Sequence, residues 1–281
     1  MLPGEAEGRR SDRARRPPRA VIVGEDGPSL RCAANLGEAQ LADVVMSAET
    51  PAAAQRAAAA LAEMGGTVRV SLLLKDAAPS DLVVVFSEEP GRVRDVALWA
   101  ARTCPYTVLL IAARNGLGLC RDAARASGLS PNLILTPGGM PRARFEAARL
   151  AGKLDVARAQ VRVPVLGGTS DDCRPVRRYA TVAGIPAREI SMAAWSAWLE
   201  EPEPALERVS LVPSVLALAR AVLQDNAAVH SCGAWVSGDA GLPGGFVVMP
   251  VRVGSRGARG ALPMRLTMEE RAFLQRHAVA T

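Results

Sequence analysis

The sequence predicts an α/β protein: a doubly wound parallel sheet in the first half and an α+β arrangement in the second. Three observations predict it. Short runs of Val, Ile and Leu recur between helix-forming segments as far as Pro137. Hydrophobic residues make up 49% of the chain but aromatics only 4%, which suits helices packed on a sheet better than a β-sandwich. Beyond Pro137 the simple alternation of strands and helices stops.

Taken in order, the run from Arg19 to Gly24 reads as a buried parallel strand entering a turn. Ser29 to Leu41 reads as the helix that follows, and Ala42 to Met46 as the second strand of a βαβ unit. Ala52 to Met64 is nearly pure Ala with Gln, Arg and Glu, a helix by propensity that stops at Gly65-Gly66. Strands are expected at Thr67–Leu74, Asp81–Phe86, Tyr106–Ile111 and Asn132–Leu135, with helices at Val93–Arg102 and Arg121–Ser127 between them. In the second half Ala143–Leu154 is a helix with Phe145, Ala148, Leu150 and Leu154 for its inner side, and Ala159–Leu166 alternates like a strand. Pro213–Asp225 is an amphipathic helix with an early Pro. Val229–Val236 and Phe246–Val253 are strands, and Thr267 opens a last helix with Glu270 placed for a capping box. The resulting division is an Arg-rich tail over 1–18, a sheet domain over 19–137 and a second domain over 138–281.

Charge and cysteine usage narrow the function classes. Much of the net charge of +6 sits in Arg9, Arg10, Arg13, Arg15, Arg16 and Arg19, among Gly, Pro and Ser. Such a segment reads as a solvated, disordered tail, with an electrostatic tether to polyanions as the alternative. The body carries no nucleic-acid motif, and no nucleic-acid partner is expected. Cys32, Cys104, Cys120, Cys173 and Cys232 are odd in number and form no C-x-x-C pair, so neither a disulfide framework nor a zinc site is indicated. Apolar stretches fall short of the roughly 20 residues of a membrane span, and no signal-peptide core is evident, so a soluble cytoplasmic protein is expected.

Three stretches of the second half resemble the malate/lactate dehydrogenase family, most closely the bacterial malate dehydrogenases that are similar to lactate dehydrogenase. The first is Gly128-Leu-Ser-Pro-Asn-Leu-Ile-Leu-Thr-Pro-Gly-Gly139 with Ala143-Arg-Phe145. The second is Val165-Leu-Gly-Gly168, Pro175 and Arg178 to Pro186. The third runs from Pro213 through Gly238-Asp-Ala-Gly241, Val248-Met-Pro-Val251 and Gly254-Ser-Arg-Gly257 to Leu266-Thr-Met-Glu-Glu270. The first half matches through its opening βαβ unit, the strand from Ser80 and the strand leading to Asn115. The resemblance implies a shortened Rossmann-type NAD-binding domain followed by a lactate/malate dehydrogenase C-terminal domain.

It also implies a chemistry, which the residues then contradict. The family's proton acceptor is a His held by a buried Asp, because hydride loss from a hydroxyl carbon needs the hydroxyl proton removed. Here Thr169 stands in the place of that His, within Thr169-Ser170-Asp171, and Pro141-Arg142 stands where the family has Leu-Asp-Ser, one residue shorter. No catalytic residue is therefore assigned, and His230 and His277 read as structural or solvated. Arg144 falls on the family's substrate arginine, a planar fork suited to a carboxylate, and Asn115 resembles the family's Asn beside the nicotinamide. The family's mobile substrate loop is missing: Pro90-Gly91-Arg92 runs almost directly into the next helix, leaving Arg92 and Arg94 as solvated substitutes. Of the G-x-G-x-x-G phosphate loop, Gly24 keeps its place and Gly27 is displaced by one, while Glu25 and Asp26 oppose phosphate. Glu49 adjoins the position of the family's ribose-binding acid. Asp171, Asp172 and Cys173 read as solvated loop residues rather than metal ligands, and no metal is expected.

Three functions follow from the resemblance. The first is a divergent or inactive homologue acting as a scaffold, as a homo-oligomer or a subunit beside a related dehydrogenase. The second is an NAD-dependent oxidoreductase of malate or a similar 2-hydroxy acid with an altered site. The third is a sensor that binds a small dicarboxylate through Arg144 without turnover.

Overall fold

The computed structural model describes residues 16–280, apart from 66, 73, 169–171, 203–205, 207–208 and 239–240. Nearly all of the Arg-rich tail thus lies outside the described residues. Arg16 and Arg19 are not part of a solvated tail. Arg16 Nη1 pairs with Asp81 Oδ2 at 3.1 Å, Arg19 donates its backbone N–H to the same oxygen at 2.9 Å, and Arg19 begins the first strand. Asp81 is itself buried, so its charge requires these cations.

The first half alternates as expected. Strand β1 (Arg19–Val23) leads to helix α1 (Gly27–Glu38), β2 (Asp43–Ser47) to α2 (Pro51–Glu63), and β3 (Val68–Ser71) to a short 3-10 turn at Leu74–Ala77. Then come β4 (Leu82–Val85), α3 (Pro90–Thr103), β5 (Val108–Ile111), α4 (Gly116–Ser127) and β6 (Ile134–Thr136). These six strands are all parallel, in the spatial order β6-β5-β4-β1-β2-β3. That is the doubly wound order of a Rossmann sheet, whose crossovers cover both faces and so make its strands continuous apolar runs. Helix α2 starts where it does because the Thr50 side chain accepts the Ala53 N–H at 3.1 Å and Pro51 fits the first turn. Helix α4 is longer than the sequence predicts. Its first residue, Gly116, lies so close to β6 that a Cβ there would stand 2.0 Å from Thr136 Oγ1.

The second half contributes to the same sheet. Helix α5 (Met140–Leu154) is followed by β7 (Val161–Arg162), β8 (Val165–Leu166), β9 (Arg174–Pro175), β10 (Thr181–Val182) and β11 (Ile185–Pro186). The single strand expected over Ala159–Leu166 is broken. Pro164, which cannot donate to a ladder, separates β7, paired with β10, from β8, paired with β9. Two helices that the sequence reading did not identify, α6 (Ala187–Ile190) and α7 (Met192–Leu199), precede α8 (Val212–Gln224). Strands β12 (Ala228–Val236), β13 (Gly245–Gly254) and β14 (Gly257–Ala261) are antiparallel and join the large sheet through β12 against β6. Helix α9 (Met268–His277) closes the fold, and its Thr267/Glu270 capping box is formed as expected.

The inner side of α5 differs from the hydrophobic reading. Ala148 is exposed, Phe145 and Leu154 are only partly covered, and the buried positions are Arg142, Glu146, Ala147, Leu150 and Ala151. Glu146 is tolerated there because it is surrounded by donors. Trp198 Nε1 donates to it at 2.9 Å, Arg149 Nη1 lies at 3.2 Å and Arg142 Nη1 at 3.8 Å. Among the described residues no helix is long and apolar enough to cross a membrane.

Candidate functional site

In a doubly wound sheet the ligand crevice lies outside the carboxyl ends of the strands where the strand order reverses, here between β1 and β4. The chain leaves β1 through Gly24, whose φ of +151° and close neighbours explain the glycine: a Cβ would stand 2.9 Å from that of Ser29 and 3.0 Å from that of Phe86. Gly27 opens α1 and Asp26 caps it, accepting the Ser29 N–H at 2.9 Å. Glu25 reaches across and accepts the Glu49 N–H at 2.8 Å, and the Glu49 carboxylate pairs with Arg92 at 3.0 Å. Arg92 is therefore engaged and largely covered, correcting its reading as solvated. Arg94 stays exposed, with only Asp95 nearby at 3.7 Å. After β4, Glu88 accepts the Arg114 N–H at 2.5 Å, and Arg114 Nη1 donates to the Leu206 carbonyl at 3.1 Å. Asn115 stands at the start of α4 without a side-chain capping bond.

Pro90 is the first residue of α3. Pro90-Gly91-Arg92 thus forms the first helical turn. In the second half, Arg144 is partly buried on α5 and makes no ion pair among the described residues. Burial and the neighbouring Arg158 lower its pKa. One turn earlier on the same side of the helix stands Pro141, which offers no carboxylate. Thr169, Ser170 and Asp171 lie outside the described residues. Asp172 beside them is exposed, whereas Cys173 is buried rather than solvated, with its thiol facing Gly139. No cluster of metal-ligating side chains occurs among the described residues.

The histidines separate. His230 lies half-buried on β12, and burial together with Arg162 lowers its pKa, which favours the neutral ring. His277 comes to Gly168: a Cβ on that glycine would stand 2.8 Å from the imidazole Cδ2. Its Nδ1 lies 2.8 Å from the Phe273 carbonyl, which can only accept, so Nδ1 carries the proton. Sequence reasoning could not place His277 here, because nothing in a terminal helix signals which loop it packs against.

The geometry defines the class: a Rossmann-type parallel sheet extended by an antiparallel ribbon. No protein-family model matches the chain. It is 30% identical over 230 residues to a malate dehydrogenase of Thermomicrobium roseum, covering 72% of this chain and 74% of that protein. It is also 34% identical over 163 residues to malate dehydrogenase 1 of Anaeromyxobacter dehalogenans, covering 49% of this chain and 52% of that one. Among solved structures, Plasmodium falciparum malate dehydrogenase in complex with NADH superposes with a TM-score of 0.80 at 17% identity, covering 92% of this chain and 94% of that chain. Cryptosporidium parvum lactate dehydrogenase gives 0.77 at 21% identity, covering 93% and 95%. The chain belongs to the malate/lactate dehydrogenase family.

Family membership implies NAD, and the residues at the crevice do not fit it. A dinucleotide pyrophosphate is held by free N–H groups at the start of the first crossover helix. Here the Asp26 carboxylate occupies the Ser29 N–H, and Ser29 Oγ turns back to donate to the Asp26 carbonyl at 2.8 Å. Glu25, next in the same loop, already holds the Glu49 amide, and Glu49 itself is paired with Arg92. Carboxylates around an anion-binding terminus repel a second anion.

Proposed function

We propose that this chain is a malate/lactate dehydrogenase-family protein that has kept the scaffold and lost the family's hydride-transfer chemistry. The observation that carries the reading is the self-capped phosphate loop, in which Asp26 and Glu25 take up backbone amides at the strand ends. The residues of the acid–base pair support it. Pro141 supplies no carboxylate to orient a base, and Thr169 in the base's position has a hydroxyl that cannot accept a proton near neutral pH. In this reading the chain acts in assembly, as a homo-oligomer or as a subunit beside a competent dehydrogenase.

Calorimetry with NAD and NADH on the full chain, followed by an oxaloacetate-reduction assay in the same preparation, tests it. No saturable binding and no turnover are expected. Micromolar binding with turnover would overturn the reading in favour of an active dehydrogenase with an altered site.

One observation favours a second role for the same scaffold. Arg144 is partly desolvated and makes no ion pair among the described residues, so its fork remains available to a small dicarboxylate. Binding of malate that Arg144→Ala abolishes would support a sensor without turnover.

A further inference from the structure

A cavity of about 340 Å³ opens between the end of α9 and the residues leading into β9. It is close in size to the smaller small-molecule pockets, which start at roughly 300 Å³. Among the described residues its walls carry Arg142, Arg174, Arg276 and His277, together with the carboxylate of Asp172. These side chains come from α5, β9, α9 and the segment before β9 and converge on one concavity. Arg142 and Arg144 are two residues apart on α5, about 200° around its axis, so the cavity is on a different side of that helix from Arg144.

Each wall is held in place. The Arg174 guanidinium lies over the Phe273 ring, its carbon 4.5 Å from the centroid, which fixes its plane and leaves its N–H edge for another partner. Arg174 and Arg276 are both solvent-exposed. Arg142, nearly fully buried, pairs with Glu146 at 3.8 Å. The Nδ1–H bond of His277 to the Phe273 carbonyl holds its ring in place.

We propose that this cavity is an oxyanion-binding site for a small phosphorylated or carboxylated ligand, distinct from the Arg144 position. Arg174 and Arg276, both exposed, line one concavity from different elements, and guanidinium N–H forks match phosphate and carboxylate oxygens alike. A bound oxyanion would bridge α9 to the start of β9.

The test titrates the full chain with inorganic phosphate and, separately, with malate, by calorimetry. The expected result is saturable binding of at least one of them, weakened tenfold or more by Arg276→Ala and by Arg174→Ala. Phosphate binding alone identifies a phosphorylated ligand, and malate binding alone a carboxylated one. Both arginines are exposed, so their removal leaves the fold intact, which a thermal melt checks. No saturable binding of either anion overturns the proposal. So does binding that Arg144→Ala abolishes while the other two variants retain it. NAD binding, by contrast, bears only on the scaffold reading.

Discussion

Glu146 is a buried carboxylate whose removal the second half should register as a loss of stability. It is fully buried on α5, accepts from Trp198 Nε1 at 2.9 Å, and stands between Arg142 at 3.8 Å and Arg149 at 3.2 Å. Glu146→Gln keeps an acceptor for the indole but removes the charge between two guanidinium groups. Arg149 retains Glu201 as a partner, while Arg142 is buried and loses its carboxylate at Glu146. Breaking a buried pair costs about 3–5 kcal/mol, and the partial relief through Glu201 places Glu146→Gln near 3 kcal/mol. Glu146→Ala also strands the Trp198 N–H, adding about 1 kcal/mol. At roughly 2 cal/mol/K of unfolding entropy per residue, a chain of this length should lose about 5 °C in Tm for Gln and about 7 °C for Ala. Differential scanning calorimetry on the purified variants measures this. A Gln variant melting within about 1 °C of the parent would show that the buried arginine does not depend on this carboxylate, and the electrostatic reasoning would fail.

Two further perturbations test the packing and the charge arrangement. Gly116→Ala should destabilise by about 1–3 kcal/mol, because the new methyl meets the buried Thr136 side chain, whereas Gly118→Ala, with open space around it, should stabilise by about 0.5–1 kcal/mol. Urea titration of both variants checks the pair, and equal effects would refute the close approach. Stability should also fall on acidification from pH 6 to pH 3. Burial raises the Asp43 pKa, but Arg69 and Arg19 more than offset it, and Arg178 holds Glu270 below the usual carboxylate range. A depressed folded-state pKa means stability that is present above the unfolded value and lost as pH falls through the folded one. Asp43→Asn with Glu270→Gln should flatten that slope in pH-dependent melts, and an unchanged slope would assign it to other groups.

The strand sequences made the sheet legible because each parallel strand is covered on both faces and so reads as an unbroken apolar run, as in Leu82–Val85 and Val108–Ile111. The same logic failed where burial is not apolar. The inner side of α5 was assigned to Phe145 and Ala148, yet it buries Arg142 and Glu146, whose charges are acceptable only because Trp198 and Arg149 arrive from elsewhere in sequence and in the helix. The short strands and helices between Val161 and Leu199 were also hidden. Two-residue pairings such as Val165–Leu166 with Arg174–Pro175 carry no periodicity to detect. The losses at the phosphate loop were readable as Glu25 and Asp26 in place of glycines, but the sequence could not say that these carboxylates take the amides for themselves. Nor could it gather Arg142, Arg174, Arg276 and His277. Four side chains spread over more than a hundred residues line one concavity because α9 folds back onto the segment at Gly168, where the absence of a Cβ admits the His277 ring. A contact set by a missing side chain leaves its trace at the glycine, not at the residues it brings together.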